Sequence, residues 1–186
     1  MKGEPKFIIP QYTTGEQIKK VRKYLGMTQR EFAVFAGCSK PTVERWEGSD
    51  RKITGPIVTL LEVLKHEPGI PQKMKIPDNR LKMRLCYMYE DSVCTIIDVD
   101  ETGRKVEINN YTDNPQFRAF GINERPSFEE YEEFIASRCF PEERDKIKVE
   151  LNRLGIPFYD PILIIEKTEG RMAEDDFWIK IERNGR

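Results

Sequence analysis

The chain is 186 residues long, with 31 basic against 32 acidic residues, 38% hydrophobic and 10% aromatic content. That length suits one domain or two small ones, and the aromatic content excludes wholesale disorder. A single histidine, His66, excludes multi-histidine metal sites, and no apolar run reaches the roughly 18 residues of a membrane span.

The net charge of −1 conceals an asymmetry. Residues 1–69 carry 12 basic and 8 acidic side chains, whereas residues 70–186 carry 19 and 24. Two units with different partners are expected. The composition changes around Glu67-Pro-Gly-Ile-Pro71, so residues 69–80 read as a linker between a unit at 14–68 and another at 81–183. Residues 1–13 read as an N-terminal arm without the apolar core of a signal peptide, which points to a cytoplasmic protein. Cys38, Cys86, Cys94 and Cys139 form no C-x-x-C pair, so no zinc site is predicted and free thiols are expected.

The first unit reads as an all-α bundle of four to five helices. Thr14 and Gln17 form a capping-box pair ahead of Ile18, Val21 and Leu25, and Gly26 stops that helix. Thr28 and Glu31 form a second box ahead of Phe32, Ala33, Phe35 and Ala36, stopped by Gly37. Ser39 caps a third helix with Val43 and Trp46 inward. Pro56 opens a fourth with Ile57, Leu60, Leu61 and Leu64 at helical spacing. Only Gly37-Cys38 separates the second helix from the Ser39 cap. Two short helices across so tight a turn make a helix-turn-helix, whose second helix projects into the major groove while the first braces it.

The second unit alternates at period two. Leu81, Met83, Leu85, Tyr87 and Tyr89 share one face of a predicted strand, and Val93, Thr95, Ile97 and Val99 one face of the next. Lys105–Asn109 is a third strand and Phe177–Ile181 a closing one. Between them lie a turn-rich stretch around Phe117–Phe120, a helix capped by Ser127 and Glu130, a helix opened by Pro141 and stopped by Gly155, and a third from Asp160-Pro161. The fold class is α+β, with an antiparallel sheet packed with helices.

The run from Thr14 to Glu47 resembles the XRE/Cro/lambda-repressor helix-turn-helix family. The motifs that carry the likeness are Leu25-Gly-x-Thr-Gln-x-Glu-Phe-Ala33, Gly37-x-Ser39 and Thr42-Val-x-Arg-Trp-Glu47. The continuation Thr54-Gly-Pro to Leu64 is similar to the MqsA/HigA-type antitoxin branch. The resemblance covers residues 14–68. It implies base contacts from Lys40, Pro41, Thr42 and Arg45, with Arg45 bidentate to guanine. It implies phosphate contacts from Thr28, Gln29 and Ser39, with Arg51 and Lys52 suited to the same task, and a structural ion pair between Arg22 and Glu47. Gly48-Ser-Asp-Arg-Lys52 departs from the family's usual Asn-Gly and leaves the path of that loop open. Lys19, Lys20 and Lys23 read as solvated charges, and Trp46 as core rather than a stacking platform.

Residues 127–182 resemble the segment preceding the kinase core in some HipA-like toxin proteins, through Ser137-Arg-Cys-Phe-Pro-Glu-Glu-Arg-Asp-Lys146, Leu151-Asn-Arg-Leu-Gly-Ile156, Ile165-Glu-Lys-Thr-Glu-Gly-Arg171 and Asp175-Asp-Phe-Trp-Ile-Lys180. This implies an accessory or docking module. No phosphate loop or nucleophile elbow occurs, and Cys139 to Arg144 is too short for a phosphatase loop. Glu174, Asp175 and Asp176 read as a solvated turn rather than a cation site, and a Cys86–Cys94 contact across the first hairpin is the lesser alternative to free thiols. Together these readings point to a DNA-binding transcriptional repressor without cofactor or metal, acting on an operator as a homodimer, of bacterial or phage origin, with autoregulation as an antitoxin a further reading. The alternatives are an adaptor that neutralises a toxin or HipA-like kinase through its C-terminal unit, a ligand-sensing repressor and, least favoured, an enzyme.

Overall fold

The computed structural model describes residues 6–79 and 81–183. The fold is α+β: among the described residues there are eight α-helices and one four-stranded antiparallel sheet. The chain divides into two compact units, one ending at Lys75 and the other beginning at Ile76.

The first unit is helical: α1 Gly15–Tyr24, α2 Gln29–Phe35, α3 Lys40–Glu47, α4 Pro56–His66 and α5 Ile70–Lys73. Both predicted capping boxes form at Thr14/Gln17 and Thr28/Glu31. Each satisfies two helix-end N–H groups that would otherwise be left without partners. Ile18, Phe32, Val43, Leu61 and Leu64 are fully buried at the centre, with Ala33, Ile57 and Val58 around them. At that centre α1, α2, α3 and α4 meet, and Trp46 packs partly buried against it, as a core residue should.

Two findings in this unit revise the sequence reading. The stretch read as a linker opens with helix α5, whose Pro71 is buried; proline near a helix start removes an N–H that has no intrahelical acceptor anyway. The arm read over 1–13 ends in structure, because Thr13 is buried and exchanges two backbone hydrogen bonds with Ile53, at 2.8 and 2.9 Å. This bridge fixes the loop before α4, whose path the sequence left open.

Gly15 is a packing requirement that the sequence reading passed over. A Cβ there would overlap the carbonyl oxygen of Trp46 and lie 2.9 Å from that of Ser49. The start of α1 thus rests directly on the end of α3, backbone to backbone.

The second unit holds β1 Met83–Tyr89, β2 Ser92–Asp100, β3 Lys105–Asn110, α6 Phe128–Ser137, α7 Ile147–Leu154, α8 Pro161–Thr168 and β4 Phe177–Arg183. The sheet order is β3-β2-β1-β4, so the closing strand pairs with the first. The three helices cover one face: Phe128, Tyr131, Ile135, Leu151, Ile164 and Ile165 pack on Leu85, Tyr87, Ile97, Val99 and Ile179. The other face carries Cys86, Met88 and Ile96, edged by Trp178 and Tyr111, and a bidentate Arg84–Asp98 pair at 2.6 and 2.7 Å.

A β-bulge separates the two cysteines of the hairpin. Tyr87 faces Thr95 but Met88 faces Val93, which leaves Cys94 as the extra residue. Cys94 turns towards the helices, whereas Val93 joins Cys86 on the opposite face. The expected common face of Val93 with Ile97, and the Cys86–Cys94 contact, are therefore both corrected.

Two element starts also differ. Leu81 precedes β1, its N–H bonded to Asn79 Oδ1. Pro141 does not open a helix; it begins a pair of turns, and α7 starts only after Lys146, which takes a left-handed conformation at φ 62°. Arg138, buried at the end of α6, ties the unit together. Its guanidinium holds Asp175 through 2.6 and 3.0 Å bonds and donates to the carbonyls of Gly170 and Phe177.

Gly15→Ala should destabilise the first unit by about 3 kcal/mol, because rigid backbone cannot move aside as a side chain would. Urea unfolding followed by circular dichroism measures this. Gly69→Ala, where a Cβ meets nothing within 4 Å, should stay within about 0.5 kcal/mol of wild type.

Candidate nucleic-acid interface

The turn between α2 and α3 is built by the backbone of Gly37. With φ 64° it takes the left-handed conformation in which a Cβ is strained. Its N–H bonds the carbonyl of Val34, and the next N–H, of Cys38, bonds that of Ala33 at 2.9 Å, a Schellman closure. Helix α3 restarts at once: Ser39 Oγ accepts from the Thr42 N–H and shares a 2.9 Å hydrogen bond with the Thr42 hydroxyl. One helix thus closes and the next is capped within two residues of Gly37.

The inner side of α3 is set by Val43 and Trp46. Lys40, Pro41, Glu44 and Arg45 are exposed and Thr42 is half-buried. Lys40 forms a 2.8 Å ion pair with Glu44 one turn on. Arg45 is exposed, and among the described residues it enters no ion pair. Three of the four residues that the family resemblance assigns to base contact are thus exposed on α3.

The phosphate set divides. Arg51 and Lys52 are exposed in the loop after α3, and the Lys52 ammonium sits 4.1 Å above the ring of Tyr12. Ser39 serves as the helix cap. The hydroxyl and N–H of Thr28 both bond the Glu31 carboxylate at 2.8 Å. The start of α2 is thus already occupied by a negative charge. The Gln29 amide nitrogen donates to Glu47 at 3.0 Å. For Thr28 and Gln29 these bonds compete with the expected phosphate role. Their side chains serve the fold, since each lies within reach of a carboxylate on its own unit.

Behind this surface lies the ion pair of Arg22 and Glu47. The guanidinium bonds the carboxylate at 2.6 and 2.9 Å and donates a third bond to the carbonyl of Met27, and the Glu47 side chain is only 5% exposed. The hydrogen bond from Arg22 holds the Glu47 carboxyl below its ordinary value, and the bond to Glu47 raises the Arg22 guanidinium. Both remain charged at neutral pH.

In the second unit the residues weighed for chemistry do not assemble a site. Burial pushes the Cys139 thiol up to about 12, which leaves it protonated at neutral pH. Asp175 turns to Arg138 while Glu174 and Asp176 face solvent. Among the described residues no His, Cys, Asp and Glu side chains converge as a metal-binding group. No helix among them is long and apolar enough to cross a membrane. No protein family, curated protein or solved structure matches the chain.

Glu47→Ala should cost the first unit about 3–5 kcal/mol, because it strands a buried guanidinium. In the wild type, Glu47 titrates below its unfolded value of 4.5, so its contribution is complete above that pH and is lost as pH falls through the lower folded value. Urea midpoints measured from pH 7 down to pH 3 test this. The Glu47→Ala variant should lack that part of the acid sensitivity.

Proposed function

We propose that this protein is a sequence-specific DNA-binding transcriptional regulator that reads the major groove with the outer face of α3. The observation that carries the reading is the contrast between Arg45, exposed and without an ion-pair partner among the described residues, and Arg22, two helices away and held by Glu47 and the Met27 carbonyl. A fold that needs arginine for stability uses it as Arg22 is used. An unpaired guanidinium beside Lys40 and Thr42, on a short helix held by a glycine turn, suits the O6 and N7 acceptors of guanine. Arg51 and Lys52 flank it and suit phosphates, which fix register without reading sequence.

One such helix covers few base pairs, so repression of an operator calls for two copies over two half-sites. The acidic second unit, which repels DNA, is suited to a protein contact: the second copy, or a basic partner such as a toxin. On this reading the protein is a dimeric repressor, and an autoregulating antitoxin where the second unit also captures a toxin.

Selection from randomised duplexes at low salt, followed by fluorescence anisotropy on the recovered site, tests the reading. The expected result is a recovered consensus bound more tightly than a scrambled duplex. Arg45→Ala should cost about 1–3 kcal/mol on the consensus and far less on the scrambled duplex. Equal losses on both would remove Arg45 from base reading, and an unenriched pool would remove the proposal.

A further inference from the structure

The Lys40–Glu44 pair lies on the exposed side of α3, one helical step from Arg45 along the chain, with side chains 53% and 46% exposed and head groups 2.8 Å apart. As a helix staple the pair is poorly arranged. The more favourable order places the acid N-terminal to the base, and here lysine comes first. The charges also oppose the helix dipole: a cation lies on the first residue of α3 and an anion lies towards its last turn. An exposed pair of this kind contributes little to stability. A carboxylate there also repels phosphates, so it disfavours indiscriminate binding.

Its geometry does match something in the groove. A G·C pair presents guanine O6, an acceptor, beside cytosine N4, a donor, and the hydrogen bond between them spans about 2.9 Å. The ammonium and carboxylate form the complementary donor–acceptor couple at nearly the same spacing. We propose that Glu44 is a specificity-determining residue: its carboxylate accepts from cytosine N4 while Lys40 donates to guanine of the same pair. This assignment rests on the DNA-binding reading above and adds to it a residue and a base pair.

The test is duplex selection with wild type, Glu44→Ala and Glu44→Gln, with anisotropy on all four base pairs at the position concerned. The wild type should prefer one orientation of G·C there by about tenfold. Glu44→Ala should level that position, bind scrambled duplex more tightly and steepen the log–log salt dependence by about one unit as Lys40 is released to phosphate. Glu44→Gln should move the preference to adenine, the base that glutamine contacts through N6 and N7. A purely structural staple would change the helix content or unfolding midpoint of both variants and leave base preference alone. If both variants select the wild-type consensus unaltered, Glu44 is not a reader and DNA binding stands. If the wild type itself selects nothing, the DNA-binding reading falls and this assignment with it.

Discussion

A carboxylate taken out of water must be given donors, and Glu47 receives three: two from Arg22 and one from Gln29. These donors come from the last turn of α1 and the start of α2, while Glu47 itself is the last residue of α3. The pair therefore pins three helices at one point, and Arg22 extends the hold to the chain between α1 and α2 through Met27. Desolvation makes the ion pair all-or-none: with Arg22 or Glu47 missing, the other charge is stranded. Gly15 acts in the same place by the opposite means, letting the backbones of α1 and α3 touch. The projection of α3 is thus set from behind, by groups that never reach its outer surface.

The second unit solves the same problem with a different cation. Arg138 spends its guanidinium on Asp175 and the Gly170 carbonyl, both between α8 and β4, and on the carbonyl of Phe177 at the start of β4. Tyr87, Phe177 and Phe134 pack around the same point, with the first two rings stacked at 4.9 Å. The sheet has two unlike faces. One is an apolar layer under helices; on the other the apolar residues share the strands with the buried Arg84–Asp98 pair.

What could be read in advance was whatever is local. The capping boxes at Thr14, Thr28 and Ser127 need only two residues three apart, and all three form. The glycine stops at 26, 37 and 155 are local in the same sense, and period-two alternation located the strands. What could not be read depends on contacts distant in sequence. Gln29 looks like a free amide until Glu47, 18 residues on, is folded against it. Gly15 looks like an ordinary first-turn residue until Trp46 arrives. Pro141 suits a helix start by composition, but the chain turns twice first. The outward surface of α3 was legible because it is a single helix whose inward positions are apolar. The ion pair within that surface follows from the one-turn spacing of Lys40 and Glu44, though its meaning there does not.

The bulge in β2 has an architectural consequence. Because Cys94 is the supernumerary residue, excising it would restore an ordinary ladder in which Val93 still opposes Met88 and Thr95 still opposes Tyr87. The hairpin does not need that residue for registry. What excision would remove is a thiol-sized plug beneath the helices and a carbonyl that receives the Tyr111 N–H, so the added length is a filler for the layer above rather than part of the weave.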